Sequence, residues 1–155
     1  MPVPFDLQTI KTRAMEEIVE LMASQQGITP LLFRKGDYLI REGEKSRNIY
    51  IILKGTCVVE QESYILAQPA VKLAEIHCEA DDLSLVGEMA YLGDQARTAS
   101  VRALEDTHTL CVKPQHVDVI IQSAPMLTRV IFQQFVLRLK EANQMIKELN
   151  TLTSL

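Results

Sequence analysis

The spacing of apolar residues changes twice along the chain. From Leu7 to about Met22, Leu7, Ile10, Ala14, Ile18 and Leu21 recur at steps of three and four between charged positions. That is the period of a helix with one buried face. Ser24-Gln25-Gln26-Gly27 follows, and a glycine just past the last periodic residue suits the left-handed turn that stops a helix. The first predicted element is an N-terminal amphipathic helix over residues 6–23.

From Ile28 to Lys113 the apolar runs become short and rich in β-branched residues: Leu31–Arg34, Tyr38–Arg41, Ile49–Lys54, Thr56–Glu60, Val71–His77, Ala99–Ala103 and Thr107–Lys113. Such runs predict strands. Gly36, Gly43 and Gly55 separate them and predict tight turns between antiparallel neighbours. The loop Glu62–Val71, with Pro69, is longer than a tight hairpin. Short strands at this spacing predict an antiparallel β-roll or jelly roll over residues 28–113.

After Lys113 the helical period returns. Pro114 stands at a first helical position, and Val117, Ile120 and Ile121 make one apolar face of a short helix. Pro125 interrupts it. Met126 to about Leu149 then form a long helix in which Phe135, Leu139, Ala142, Ile146 and Leu149 alternate steps of four and three. Such a stripe packs on the roll, as most apolar stripes do, or on the same stripe of a second copy in a coiled coil. The predicted fold class is α+β and mainly β: a roll with an N-terminal helix and two C-terminal helices, in one domain over residues 1–155.

Composition narrows the function classes. The 155 residues, 47% apolar and 23% charged, suit a water-soluble domain with one core. No apolar run approaches the roughly 20 residues of a membrane-crossing helix, so no membrane partner is expected. The N-terminus lacks the basic start and apolar stretch of a secretory signal, which makes the cytoplasm the expected location. A net charge of −4 argues against direct nucleic-acid binding. Cys57, Cys78 and Cys111 are odd in number, lack paired spacing and sit among apolar residues, so buried thiols are expected rather than disulfides. His77-Cys78 has no second Cys/His pair at zinc spacing and is expected to be structural, without a metal. No Ser/His/Asp or Cys/His constellation is suggested, so an enzyme is not expected.

The candidate chemistry lies in the segment from Gly87 to Ser100. Gly87 entering a one-turn helix at Glu88–Leu92 would present free N–H groups to an anion. Arg97 follows Glu88 by nine positions across a Gly93-Asp94-Gln95 turn, so acid and base can line one pocket. A guanidinium donates in a planar fork to two phosphate oxygens, and a carboxylate accepts from a sugar hydroxyl. Thr98 and the N–H of Ala99 add donors beside the same anion. Taken singly, Glu88 and Arg97 would be an ordinary surface ion pair. Together with their neighbours they describe a ribose-phosphate site.

Gly87-Glu88-Met89-Ala90 followed by Arg97-Thr98-Ala99-Ser100-Val101-Arg102-Ala103 resembles the phosphate-binding cassette of the cyclic-nucleotide-binding family. That family includes catabolite-activator transcription factors, regulatory subunits of cyclic-nucleotide-dependent kinases, and gated channels, to whose Arg-Thr-Ala-Ser-Val-Arg-Ala run this chain is especially similar. Phe33 to Glu44 resembles the family's first hairpins, and Tyr50 to Gly55 its next strand and turn. The likeness runs from about Leu31 to Glu148. It implies that Glu88 accepts from the ribose 2′-hydroxyl, that Arg97 pairs with the cyclic phosphate, and that Thr98 contacts phosphate or a syn purine. Gly87 and Ala99 would give backbone N–H groups, and Met89 belongs to the same ligand-binding set. The ligand, cAMP or cGMP, is a signal rather than a cofactor, and the last helix, about Gln134 to Lys147, is its lid. The implied function is a sensor that signals by repositioning that helix to an effector protein or a second copy. The alternative is a member that keeps the roll without the ligand and serves as a scaffold. One departure is Asp81-Asp82-Leu83-Ser84-Leu85-Val86, where the family usually has a glycine and an aromatic residue.

Overall fold

A computed structural model of the chain describes residues 7–24, 27–63, 68–79, 82–88 and 96–154. Helix α1 (Leu7–Ala23) leads into seven strands among the described residues: β1 (Ile28–Phe33), β2 (Tyr38–Ile40), β3 (Ile49–Gln61), β4 (Val71–Cys78), β5 (Ser84–Val86), β6 (Ser100–Ala103) and β7 (Thr107–Val112). A 3₁₀ turn at Pro114–His116, α2 (Val117–Ser123) and α3 (Pro125–Thr153) complete the order. The predicted roll with one helix before it and two after it, the last one long, is the fold observed.

The spine of the roll is β3. Its first part, Ile49 to Lys54, pairs antiparallel with β7 and β5, and its second, Gly55 to Gln61, with β4 and β6. Outside these, β1 pairs with β7 and β2 with β6. Gly55 therefore does not turn the chain between two strands, as the sequence suggested. It sits where one long strand crosses from one half of the curled sheet to the other. Its φ is +132°, and a Cβ there would lie 2.7 Å from the Cα of Thr107. Only glycine lets the two strands approach so closely at that conformation. Gly36 and Gly43, with φ of +91° and +87°, do occupy turns.

Ile49-Tyr50-Ile51-Ile52 is uniformly apolar because both faces of β3 are covered. Ile49 and Ile51 join Ala14, Ile18, Leu21, Ile120 and Leu127 in a core between sheet and helices, whereas Tyr50 and Ile52 join Leu39, Val86, Val101 and Ala103 inside the roll. The three cysteines are buried in that inner core, none of them in a disulfide. Besides the fusion at Gly55, β1 and β5 differ most from expectation. β1 begins at Ile28 and includes Pro30, which an edge strand paired only with β7 tolerates. The strand β5 was not predicted, because three residues are too few to show a period.

Pro125 is the first residue of α3 rather than a break before it, and the helix runs on to Thr153. Ala124 gives that helix no side-chain cap. Glu17 of α1 does instead, accepting from the N–H groups of Met126 at 3.0 Å and Leu127 at 2.8 Å. This ties the two helices at the end where Leu127 and Val130 are buried. The predicted stripe does not cover the roll: Leu139, Ile146 and Leu149 are 62%, 56% and 59% exposed. No helix among the described residues is long and apolar enough to cross a membrane.

Candidate functional site

The chain leaves β5 at Gly87 with a φ of +89°. A Cβ at this position would sit 2.9 Å from the carbonyl of Asn48 and 3.1 Å from Nη1 of Arg97. The missing side chain gives the guanidinium its place. Arg97 is 6% exposed. Its Nη1 donates to the carbonyl of Gly87 at 2.8 Å, and its Nη2 to the carbonyl of Asn48 at 2.5 Å and Oγ of Ser46 at 3.4 Å. The backbone of Arg97 is fixed from the turn after β2: its N–H donates to Glu44 O, and Gly43 N–H donates to Arg97 O, both at 2.8 Å. Nε of Arg97 is buried with no partner among the described residues. Burial pushes the pKa of this group below its usual value, against the opposing charges of Tyr50, Glu44 and Glu88. Arginine stays charged under such a shift.

Glu88 does not bond to Arg97. Its carboxylate accepts from Nη1 of Arg138, on α3, at 2.5 Å, and both side chains are partly buried. The other terminal nitrogen of Arg138 donates to Oγ of Ser84 at 3.3 Å and to the carbonyl of Leu85. One helical turn earlier, Gln134 accepts from the N–H of Leu85 at 3.3 Å. Both backbone groups of Leu85 are thus held by α3.

These elements enclose a cavity of about 380 Å³, within the range of small-molecule sites. Gly87, Glu88, Arg97, Thr98 and Ala99 all line it, so five predicted site residues meet in one place. Met89 lies outside the described residues, as does most of the predicted one-turn helix at Glu88–Leu92. The carbonyl of Thr98 accepts from Gln61 at 2.8 Å, which pins the segment to the end of β3. The remaining wall is mostly apolar, from Ile40, Val59, Ala74, Ile76, Val86 and Val101, with Glu75 among them, and α3 contributes Arg138 and Glu141. Such a cavity can take a small anion with an attached apolar or aromatic part: the buried guanidinium of Arg97 faces one region, Arg138 and the carboxylates of Glu75, Glu88 and Glu141 others, and aliphatic walls the rest.

Arg138, Glu141 and the cradle of Ser46 and Asn48 were not picked out as site residues. The predicted lid did span Arg138 and Glu141, but a helical period does not say which turn meets a cavity. The Asn48 contact is made by a backbone carbonyl and leaves no trace in side-chain chemistry. His77 and Cys78 divide as a structural pair does. Nδ1 of His77 lies 2.6 Å from Oγ1 of Thr56 and Nε2 lies 3.1 Å from Glu79, while Cys78 points into the core. Among the described residues no cluster of His, Cys, Asp or Glu is arranged to hold a metal ion.

A search of the curated proteins gave no match. Among solved structures, the catabolite activator protein of Thermus thermophilus superposes with a TM-score of 0.66 at 22% identity over 87% of this chain. A cAMP-binding acyltransferase from Mycobacterium smegmatis gives 0.58 at 23% over 81%. The regulatory domain of Toxoplasma gondii PKA, crystallised with cAMP, gives 0.55 at 19% over 88%. This chain spans 59%, 40% and 50% of those three chains. At such identities the likeness shows a shared fold. The model of the cyclic nucleotide-binding domain matches residues 30–124, well over half of the sequence and every described residue of the cassette. The chain belongs to the cyclic nucleotide-binding domain family, whose domains are regulatory rather than catalytic.

Proposed function

We propose that this domain binds a cyclic nucleotide, cAMP or cGMP, in the cavity around Arg97 and Glu88 and signals through the position of α3. The observation that carries the proposal is the buried Nε of Arg97, a charged donor left without a partner among the described residues, beside a cavity of ligand size. An orphaned buried donor is costly, and a phosphate oxygen would satisfy it. Glu88 suits the sugar hydroxyl, the aliphatic wall suits the base, and α3 closes the cavity through Arg138 and Glu141. The M. smegmatis and T. gondii proteins, of the same fold, are described as cAMP-binding and as bound to cAMP. Occupancy shifts the helix only as far as the ligand contacts two helix positions unequally, and the contacts of Arg138 and Glu141 supply that inequality.

The exposed stripe of Leu139, Ile146 and Leu149 supports a second role for α3 as a surface for another copy of the chain. The binding proposal is tested by following backbone amide resonances during titration with cAMP and with cGMP. Gly87, Thr98 and Ala99 are expected to shift saturably with one of them. Shifts confined to residues away from the cavity would place the ligand elsewhere.

A further inference from the structure

We propose that Tyr50 is a positioning residue for the phosphate contact: its hydroxyl, acting through Asn48, fixes the guanidinium of Arg97 in the orientation that meets the anion. The inference rests on the nucleotide-binding proposal and extends it to a residue of the inner core.

Asn48 holds Arg97 with its main chain and Tyr50 with its side chain. Its carbonyl accepts from Nη2 of Arg97 at 2.5 Å, and its side-chain amide donates to the hydroxyl of Tyr50. Asn48 stands one residue before β3, whose pairing with β7 begins at Ile49, so the ladder restrains it from one side only. The bond to Tyr50 supplies the second restraint. Tyr50 is itself fixed: it is 8% exposed, its ring meets that of Phe33 edge-on with centroids 5.6 Å apart, and its O–H donates to Cys111, its neighbour across β3 and β7. Burial raises the pKa of both the phenol and the thiol, so both stay neutral and the bonds run in one direction, from amide to phenol to thiol. On the far side of the guanidinium, Nη1 donates to the carbonyl of Gly87 at 2.8 Å. The two terminal nitrogens are thus committed to the backbone, and Nε, which has no partner among the described residues, is the donor that remains for a phosphate oxygen. A guanidinium held in one orientation before the ligand arrives loses less freedom on binding than a mobile one.

A misaimed guanidinium and a loosened pocket separate experimentally. Replacing one exocyclic oxygen of the cyclic phosphate by sulfur gives two diastereomers. A donor fixed in direction distinguishes them, whereas a general loosening weakens both alike. Affinities of the two phosphorothioates of whichever of cAMP and cGMP binds are measured by calorimetry for the unmodified chain, Tyr50→Phe, Asn48→Ala and the double variant. Tyr50→Phe keeps the ring and removes only the hydroxyl. The unmodified chain is expected to separate the diastereomers by about tenfold, and each single variant to bring the ratio to within about threefold. The double variant is expected to lower it no further, because both substitutions break one chain of bonds. In the ligand-free chain the Nη resonances of Arg97 are expected to be separately resolved, and to merge in Tyr50→Phe as the guanidinium turns more freely. If Tyr50→Phe does not fold, Asn48→Ala, which removes the same bond from its other end, carries the test. A diastereomer ratio unchanged in the folded variants, or losses that add in the double variant, overturns this inference alone. Absence of nucleotide binding by the unmodified chain overturns the nucleotide proposal and the phosphate role of Tyr50 with it, and the Arg97 resonances of the ligand-free chain tell the two failures apart.

Discussion

Arg97→Ala is expected to destabilise the domain before any ligand is added. The guanidinium is the donor to the carbonyls of Gly87 and Asn48, and its truncation leaves both without that partner beneath a new void. A buried acceptor left unpaired costs about 1–3 kcal/mol. Part of this is recovered, because a buried charge whose Nε has no partner among the described residues no longer has to be desolvated. A net loss of about 2–4 kcal/mol follows, which for a domain of this size lowers Tm by about 4–16 °C. Thermal and urea unfolding of the ligand-free chain, followed by circular dichroism, measures it. Arg97→Lys, whose single amine reaches one carbonyl at a time, is expected to lose about half as much. A loss below about 1 kcal/mol for Arg97→Ala would refute the reasoning, since the two carbonyl contacts would then contribute nothing. The outcome also bears on ligand work: affinity of this variant has to be measured well below its own Tm.

Gly55→Ala forces a Cβ to 2.4 Å from Oγ1 of Thr107 and 2.7 Å from its Cα at a φ of +132°; a loss of about 3 kcal/mol or more is expected in urea unfolding. Glu17→Ala removes the acceptor that caps α3 from α1 and is expected to cost about 1–2 kcal/mol, with faster hydrogen exchange at Met126 and Leu127. The hydrogen bond to Glu79 raises the pKa of His77, against desolvation and helped by the charges of Glu79, Glu105 and Asp82. Its contribution to stability is therefore full below the ordinary imidazole value of about 6.5 and lost as pH rises through the raised one. An NMR titration is expected to show His77 above the ordinary value and moving back towards it in Glu79→Gln.

The helices were legible because Ala14, Ile18 and Leu21 repeat a period that burial enforces, and the cassette was legible because Gly87, Glu88, Arg97, Thr98 and Ala99 are close in sequence as well as in space. Gly55 was misread because a positive φ serves a hairpin turn and a strand crossing equally well. Which of the two it serves is decided by Thr107, a residue distant in sequence. The partners of the two charged residues were likewise hidden. Arg97 is held by backbone carbonyls that any sequence could provide, and Glu88 is held by Arg138 across a helix–sheet contact that no local period encodes. The stripe on α3 was legible as a stripe, but its exposure depends on where the helix leaves the domain.

Isothermal titration of the purified chain with cAMP and with cGMP tests the central claim most directly. One of the two is expected to give saturable heat with one site per chain. That heat is expected to weaken by the equivalent of about 2–4 kcal/mol of affinity in Arg97→Ala measured on folded protein. No saturable heat from either nucleotide at millimolar concentration would contradict the proposal and leave a cyclic nucleotide-binding fold that binds neither.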